Sequence, residues 1–326
     1  SWALSWRPPS SPLSATCWMC NMPDAQPSII LPNTDAASAA PTCPAPAVPD
    51  EDVRIRVRDL TVAFGSFVLM HNVSFDVRVG DIFMVMGGSG CGKSTLLRVL
   101  MGLKEPQQGQ VCYNGEDFWA GTEESRSRIM RNTGVLFQGG ALWSSMTLAE
   151  NVGLPLQQYT DLTDDEIREQ ASLKLALAGL AGFEDYYPSE ISGGMRKRAG
   201  LARALALDPQ ILFLDEPSAG LDPVSSRLLD DLILELRDSL GTTFVIVSHE
   251  LPSIFTIARN SIFLDAQSRT VTASGNPSEL VKDPNTDQSA KLFLTRGGKR
   301  DQNEDAGENA PTATSHAATS HKEQSR

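Results

Sequence analysis

The chain has 326 residues and a formal net charge of −12, with 41% hydrophobic and 21% charged residues, which is ordinary for a globular protein. The negative charge disfavours a nucleic-acid binder that works by neutralising phosphates. The sequence contains no run of about 18 or more apolar residues, so no segment is predicted to span a membrane. A function at a membrane would therefore need a partner chain with spanning helices.

We expect both ends of the chain to be disordered. Residues 1–50 are rich in Pro, Ser and Ala and show no helical or strand periodicity. One interpretation is an artefactual extension, since Met22 offers an alternative start. The rival interpretation is a secretory signal, which internal prolines and the single early charge of Arg7 disfavour. Residues 297–326 are polar and have no apolar stripe, so we expect a second disordered tail.

Residues 51–296 are predicted to form one folded domain that begins with β-structure. Three stretches have strand character: Val53–Val57, Leu60–Phe64 and Val73–Val77. The short apolar run Ile82–Met86 follows, and it is typical of a strand that is buried on both faces. The pattern therefore predicts a β-rich start that leads into a buried strand.

The remainder of the domain alternates helices with short buried strands. Helices are predicted at Ser94–Leu103, Asp165–Leu180, Arg196–Leu207 and Leu228–Leu240, and strands at Ile211–Leu214 and Thr243–Val247. This order predicts an α/β fold with a parallel sheet at its core and a helical insertion at about residues 139–208.

A glycine-rich loop follows the first buried strand. The residues that we expect to bind nucleotide there are Gly87, Gly88, Ser89, Gly90, Cys91, Gly92, Lys93, Ser94 and Thr95. The spacing Gly-x-x-x-x-Gly-Lys-Ser between a strand and a helix is the Walker A motif, whose backbone N–H groups bind phosphate. We expect Lys93 to contact phosphate oxygens and the Ser94 hydroxyl to ligate Mg²⁺, so the predicted cofactors are ATP and Mg²⁺.

Two acids end the later strand Ile211–Leu214. In open α/β sheets ligands bind beyond the carboxyl ends of strands, so we expect Asp215 to hold Mg²⁺ through water. Glu216 is the candidate general base that polarises the attacking water. An ordinary acidic strand end is the alternative, but the motif Pro217–Pro223 directly after these acids disfavours it.

These motifs together resemble the nucleotide-binding subunit of ATP-binding cassette (ABC) transporters over about residues 53–285. The resemblance implies a P-loop NTPase fold with a RecA-like parallel core, an N-terminal antiparallel β subdomain and an inserted helical subdomain. It also implies that Phe64 stacks on adenine, Gln138 contacts Mg²⁺ and senses a transmembrane partner, and Asp222 and His249 are the D-loop acid and the switch histidine.

The segment Ser192, Gly193, Gly194 and Met195 matches the signature motif of that family. Ser192 is a good helix N-cap, and the two glycines leave N–H groups bare at the helix start, which favours anion binding. In the family this segment closes over ATP bound to a second subunit. The resemblance therefore implies a head-to-tail homodimer that works with transmembrane permease subunits.

Met195 stands where Gln is usual, and the segments Gln138–Met146 and Glu150–Leu156 accompany it. This combination looks like the Mla/Mce-type lipid-transport ATPases of bacterial envelopes, also known as toluene-tolerance ATPases; Trp143, Leu148 and Gly153 are minor departures. The resemblance implies transport of phospholipid or other hydrophobic cargo, an Mce-domain substrate-binding partner and a place on the cytoplasmic face of the inner membrane. The apolar segment Gln138–Met146 is the candidate docking surface for a permease coupling helix.

Two other functions remain open. One is an ATPase for a different ABC transporter, such as an importer of a polar solute. The other is a non-transport ABC ATPase in translation or DNA maintenance, which usually has two cassettes or a long coiled coil. One phosphate loop, no heptads and a net negative charge count against the latter, and no nucleic-acid partner is expected.

Overall fold

The structure is a computed structural model, and it describes residues 52–295. Both predicted tails therefore lie outside the described residues. The strands are β1 (Val53–Phe64), β2 (Phe67–Arg78), β3 (Ile82–Gly87), β4 (Gln108–Tyr113), β5 (Glu116–Asp117), β6 (Thr133–Leu136), β7 (Ile211–Asp215), β8 (Thr243–Val247), β9 (Asn260–Asp265) and β10 (Thr270–Gly275). The helices are α1 (Lys93–Leu100), α2 (Glu123–Arg131), α3 (Leu148–Tyr159), α4 (Asp164–Leu177), α5 (Gly193–Ala204), α6 (Pro223–Leu240), α7 (Leu251–Ile257) and α8 (Pro277–Lys282).

A four-stranded antiparallel sheet, in the order β2-β1-β4-β5, contains the first strands of the domain. The two strands predicted at Val53–Val57 and Leu60–Phe64 are one strand, β1, so that prediction was wrong in number. The pairing of β1 with β2 shifts register between Val57 and Leu60, and Asp59 there has a φ of 49°. This irregularity interrupts the alternation of buried residues, which is why the sequence reads as two strands.

The second sheet has the order β10-β9-β3-β8-β7-β6, and its strands from β9 to β6 are parallel. Every residue of β3 and of β8 is buried, as expected for strands in the middle of a covered parallel sheet. In this order β8 lies between β3 and β7. The carboxyl ends of these three strands therefore meet at one edge, where the glycine loop, the acids and His249 begin.

Capping residues explain where two helices begin earlier than predicted. Helix α5 starts at Gly193 rather than Arg196, because the Ser192 hydroxyl accepts a hydrogen bond from the Met195 N–H at 3.2 Å. Helix α6 starts at Pro223 rather than Leu228, since the Asp222 carboxylate accepts from two N–H groups of its first turn. Each such cap stabilises a helix by about 1 kcal/mol.

Helices α3, α4 and α5 occupy the chain between β6 and β7, in the region predicted as a helical insertion. Their apolar faces pack into one core cluster with β3, β7 and β8. Among the described residues, no helix is long and apolar enough to cross a membrane.

Candidate nucleotide site

The loop between β3 and α1 leaves its backbone open on one side. Residues Gly88, Ser89 and Gly90 are exposed, whereas the Cys91 side chain is buried below them. A Cβ at Gly87 would lie 2.5 Å from the Leu264 carbonyl oxygen, so only glycine fits at the start of the loop. Burial also raises the pKa of the Cys91 thiol.

The Lys93 side chain folds back into this loop. Its Nζ donates hydrogen bonds to the carbonyl oxygens of Gly87 and Gly88, both at 3.0 Å, and the residue is buried. The ammonium is therefore held at the loop by the backbone that precedes it. Thr95 is half-buried one residue beyond Ser94.

Ser94 and Asp215 lie next to each other although they are far apart in the sequence. The Ser94 hydroxyl donates to the Asp215 Oδ1 at 3.0 Å, which joins α1 to the end of β7. Hydroxyl and carboxylate oxygens are ligands that suit Mg²⁺. Gln138 follows β6 at the same sheet edge, but its side chain is exposed and the described residues give it no hydrogen bond to either of these groups.

Glu216 and His249 form a pair directly beside the Asp215 strand end. The His249 Nδ1 lies 2.7 Å from the Glu216 Oε1, and the imidazole is 54% exposed while the carboxylate is largely buried. The second carboxylate oxygen, Oε2, is buried and has no hydrogen-bond partner among the described residues. A buried, unpartnered carboxylate oxygen is costly, so this atom is available to accept a proton or a hydrogen bond from a ligand.

The signature residues make no hydrogen bond to Ser94, Asp215, Glu216 or His249 among the described residues. Ser192 is exposed, and its side chain bonds only its own helix, as does that of Asp222 at the start of α6. The Met195 side chain packs against the core rather than facing the glycine loop. No hydrogen bond among the described residues connects Ser192, Gly193 or Gly194 to the glycine loop.

The predicted adenine platform, Phe64, stands at the end of β1 and is 52% exposed. The Lys104 Nζ lies 4.2 Å from the centroid of its ring, in a cation–π arrangement. That contact covers one face of the ring, so stacking of a base would use the other.

Three side chains that organise the site were not predicted, of which Lys197 and Asn151 are buried and Arg203 is half-buried. Lys197 donates to the Glu216 carbonyl oxygen at 3.0 Å. Arg203 donates to the carbonyl oxygens of Gly140 and Ala141, and Asn151 donates to three carbonyls and accepts from one N–H within residues 143–147. The only sequence signal for Lys197 is a charged residue on the apolar stripe of α5.

The sequence of this chain matches a known protein family and named relatives. The ABC transporter family matches residues 70–219. The phospholipid transport ATP-binding protein MlaF of Escherichia coli K12 is 36% identical over 240 residues, which cover 74% of this chain and 88% of MlaF. This chain belongs to the ABC transporter family. MlaF of Haemophilus influenzae is likewise 36% identical, over 70% of this chain and 86% of that protein.

A mycobacterial relative has a higher identity, but the alignment covers a smaller share of that protein. The probable ribonucleotide transport ATP-binding protein mkl of Mycobacterium leprae is 43% identical over 208 residues, or 64% of this chain. The aligned part is 60% of that mycobacterial protein, so this ABC chain spans less than two thirds of its length.

Solved ABC cassettes confirm the predicted fold class. The dimeric cassette MJ0796, in a post-hydrolysis state bound to ADP and Pi, matches with a TM-score of 0.62 and 28% identity, over 68% of this chain and 98% of that chain. The cassette cbiO1 from Clostridium perfringens matches with a TM-score of 0.66 and 25% identity, over 77% of this chain and all of that one.

Proposed function

We propose that this chain is the ATP-hydrolysing subunit of an ABC transporter. The observation that carries the proposal is the convergence of two pairs, Ser94–Asp215 and Glu216–His249, at the carboxyl edge of the parallel sheet beside an open glycine loop. The oxygens of the first pair suit Mg²⁺, and the orphaned Oε2 of Glu216 suits a water. The family and its ADP-bound structural neighbour support the same activity.

Each group has a role in phosphoryl transfer to water. The loop N–H groups and Lys93 would bind the phosphates, and Ser94 and Asp215 would hold Mg²⁺, which neutralises phosphate charge when bound. Glu216, through its free oxygen, would accept the proton of the attacking water. His249, held by its contact with Glu216, would orient that carboxylate and would contact the transferred phosphate.

A second copy of the chain would complete the site. The start of α5 is exposed and carries the N-cap Ser192 followed by two glycines, so it can bind an anion. Since no hydrogen bond of the described residues links this segment to the glycine loop, we infer that a head-to-tail dimer would place it on nucleotide. The dimeric state of the related cassette MJ0796 supports this arrangement.

A permease subunit is the second proposed partner, and the segment Gln138–Met146 is its proposed docking surface. The segment Gln138–Met146 is held in shape by Asn151 and Arg203, yet it exposes Trp143, with 61% of that side chain accessible. An apolar side chain displayed on a rigid loop fits a protein interface. The transmembrane helices of such a transporter would lie in that partner.

Phospholipid or similarly hydrophobic cargo is the proposed substrate of the transporter. The relatives that align over most of their own length are named as phospholipid transport proteins, and Met195 with Gln138–Leu156 gives the same indication. A polar solute is the second candidate, favoured by the mycobacterial relative named for ribonucleotide transport. Because that alignment covers a smaller part of the relative, we favour lipid.

Two measurements test these proposals in order. The purified full-length chain should hydrolyse ATP only with Mg²⁺, and chelation should abolish turnover; turnover that is indifferent to chelation contradicts the assignment of Ser94 and Asp215. The chain should then co-purify from membranes with a permease and an Mce-domain protein, and mass spectrometry should find phospholipid in that complex. A periplasmic sugar- or nucleotide-binding protein in its place would overturn the lipid proposal.

A further inference from the structure

Helix α5 carries a lysine on its buried side. Lys197 is only 6% exposed, and it lies on the same stripe as the buried residues Gly194, Leu201 and Ala204. A lysine is rarely buried unless its ammonium is paired, because removing the charge from water is costly. Burial lowers the pKa of Lys197, while the nearby carboxylates of Glu216 and Asp215 favour its charged form. The burial of the Lys197 ammonium therefore implies a specific hydrogen-bond partner.

That partner is the backbone of Glu216. The Lys197 Nζ donates to the backbone carbonyl oxygen of Glu216 at 3.0 Å, and this is the one hydrogen-bond acceptor that the described residues offer it. The bond connects the second turn of α5 to the residue that follows β7. It therefore joins the signature helix of this chain to the residue assigned above as the general base.

The backbone at Glu216 needs such support. Its φ is 49°, in the left-handed region that costs a non-glycine residue about 1 kcal/mol or more. The Glu216 N–H donates to the Val247 carbonyl at 2.9 Å, and its own carbonyl also accepts from the Ala219 N–H at 3.2 Å. Lys197 thus supplies one of three contacts that hold the backbone, and with it the direction of the carboxylate.

The start of α5 is rigidly placed against the helix that follows Glu216. A Cβ at Gly194 would meet the Ser225 side chain at 3.0–3.1 Å, so α5 and α6 touch closely there. Movement of the signature segment must therefore move Lys197 as well, because both lie within two turns of one helix.

We propose that Lys197 is a positioning residue that fixes Glu216 relative to the signature helix, so that the base is correctly aimed only when α5 is in place. The proposal rests on the ATPase function proposed above. Lys197 touches neither nucleotide nor water in this assignment, and its effect is on turnover rather than on binding.

Replacement of Lys197 tests the proposal in the full-length chain. Lys197→Met should lower kcat by about 10- to 100-fold, the range expected when a catalytic group is misplaced by a fraction of its working distance. The KM for ATP and the Kd for a non-hydrolysable ATP analogue should stay within about twofold, because the phosphate-binding residues are untouched. Lys197→Gln keeps a donor without the charge, and its kcat should lie between those of Lys197→Met and the wild type.

Lys174 provides a matched control. It is equally buried, lies on α4 and pairs with Asp208, away from the nucleotide site. Lys174→Met should lower the melting temperature as much as Lys197→Met does but leave kcat within about twofold. Equal losses of kcat in the two variants, or an unchanged kcat in Lys197→Met, would overturn the positioning role.

The outcome remains separable from the ATPase proposal itself. If the wild type hydrolyses ATP and Glu216→Gln does not, the function stands whatever Lys197 does. If Lys197→Met does not fold, the kcat of Lys197→Gln alone decides the matter, since a structural role would leave its turnover per folded molecule unchanged.

Discussion

Two regions of the molecule differ in how much of their geometry a single chain supplies. The Walker region comprises residues 87–95 with Asp215, Glu216 and His249, and the signature region comprises residues 192–195 with Asp222. In the Walker region, bonds between distant residues fix the functional groups: Ser94 is bonded to Asp215, and Glu216 to His249. In the signature region, Ser192 and Asp222 bond only the N–H groups of their own helices and face solvent. The Walker region is therefore a preorganised site, whereas the signature region is an exposed surface that can contact a second subunit.

This difference separates two kinds of measurement. Changes in the Walker region should alter nucleotide binding or chemistry in any state of the protein. Changes in the signature region should leave binding to one subunit intact and act only when two subunits meet.

Glu216→Gln should lower ATP turnover by about 1,000-fold, since the amide cannot accept the proton of the attacking water. ATP affinity should change by less than about threefold, and the closed dimer should accumulate because nucleotide is not consumed. Steady-state hydrolysis and size-exclusion chromatography with ATP would show both effects. Glu235→Gln, an exposed substitution on α6, is the control. Hydrolysis close to that of the wild type would remove Glu216 from its role.

Gly193→Asp should lower turnover by about 100-fold, because a carboxylate at the start of α5 would repel the phosphates that this helix end is expected to bind. The fold should tolerate it, since the nearest atoms to a Cβ there are 3.8 and 3.9 Å away. ATP binding to the separate subunit, measured by fluorescence, should not change. Ser278→Asp, at the exposed start of α8, introduces the same charge at a helix remote from the site in sequence. Loss of binding to the single subunit would contradict the proposed division of the site.

Lys93→Ala should weaken ATP binding by roughly 10- to 100-fold, which corresponds to the loss of one hydrogen bond to a charged group, about 1.5–3 kcal/mol. Unlike Gly193→Asp, it should do so in the separate subunit, and calorimetric titration would measure the effect. Lys104→Ala removes the cation above Phe64 but no phosphate contact, so its effect should be smaller. Equal affinity of the wild type and Lys93→Ala would count against the phosphate-binding role.

The parts of the fold that could be predicted are those whose signal is local. The buried strands at Ile211–Leu214 and Thr243–Val247 match β7 and β8 within one residue, because short apolar runs end directly at the motifs. Side-chain periodicity placed the start of α5 at Arg196, whereas the predicted N-cap, Ser192, marks the observed start at Gly193. The periodicity of side chains begins later than the helix, since the first two residues of the helix are glycines.

The contacts that tie the site together could not be predicted in the same way. Lys197 and Glu216 are joined across two elements, and neither residue type nor spacing indicates that pairing. The positive φ of Glu216 likewise has no local signal, because glutamate is not a residue that favours that region. The four hydrogen bonds of Asn151 could not be predicted either, because they depend on the backbone path of residues 143–147 before α3.

The smallest predicted effect concerns a contact between the two regions. Asp230, on the helix that Asp222 caps, accepts from the Ser253 hydroxyl at 2.8 Å, on the helix that follows His249. Burial raises the pKa of Asp230 from 3.8 to about 6. The folded state therefore holds this proton more tightly than the unfolded state, so the stability due to Asp230 is present below about pH 4 and is lost as pH rises to about 6.

Asp230→Asn should abolish that loss, because the amide accepts from Ser253 without ionising. Urea unfolding at a series of pH values should show the variant becoming more stable than the wild type between about pH 4 and 6, with a constant difference above that range. Asp161→Asn, exposed before α4, should give no such pH-dependent difference. ATP turnover should stay within about twofold, because the contact joins the two regions without entering either site. A difference that grows toward low pH instead would mean that Asp230 is ionised in the folded protein.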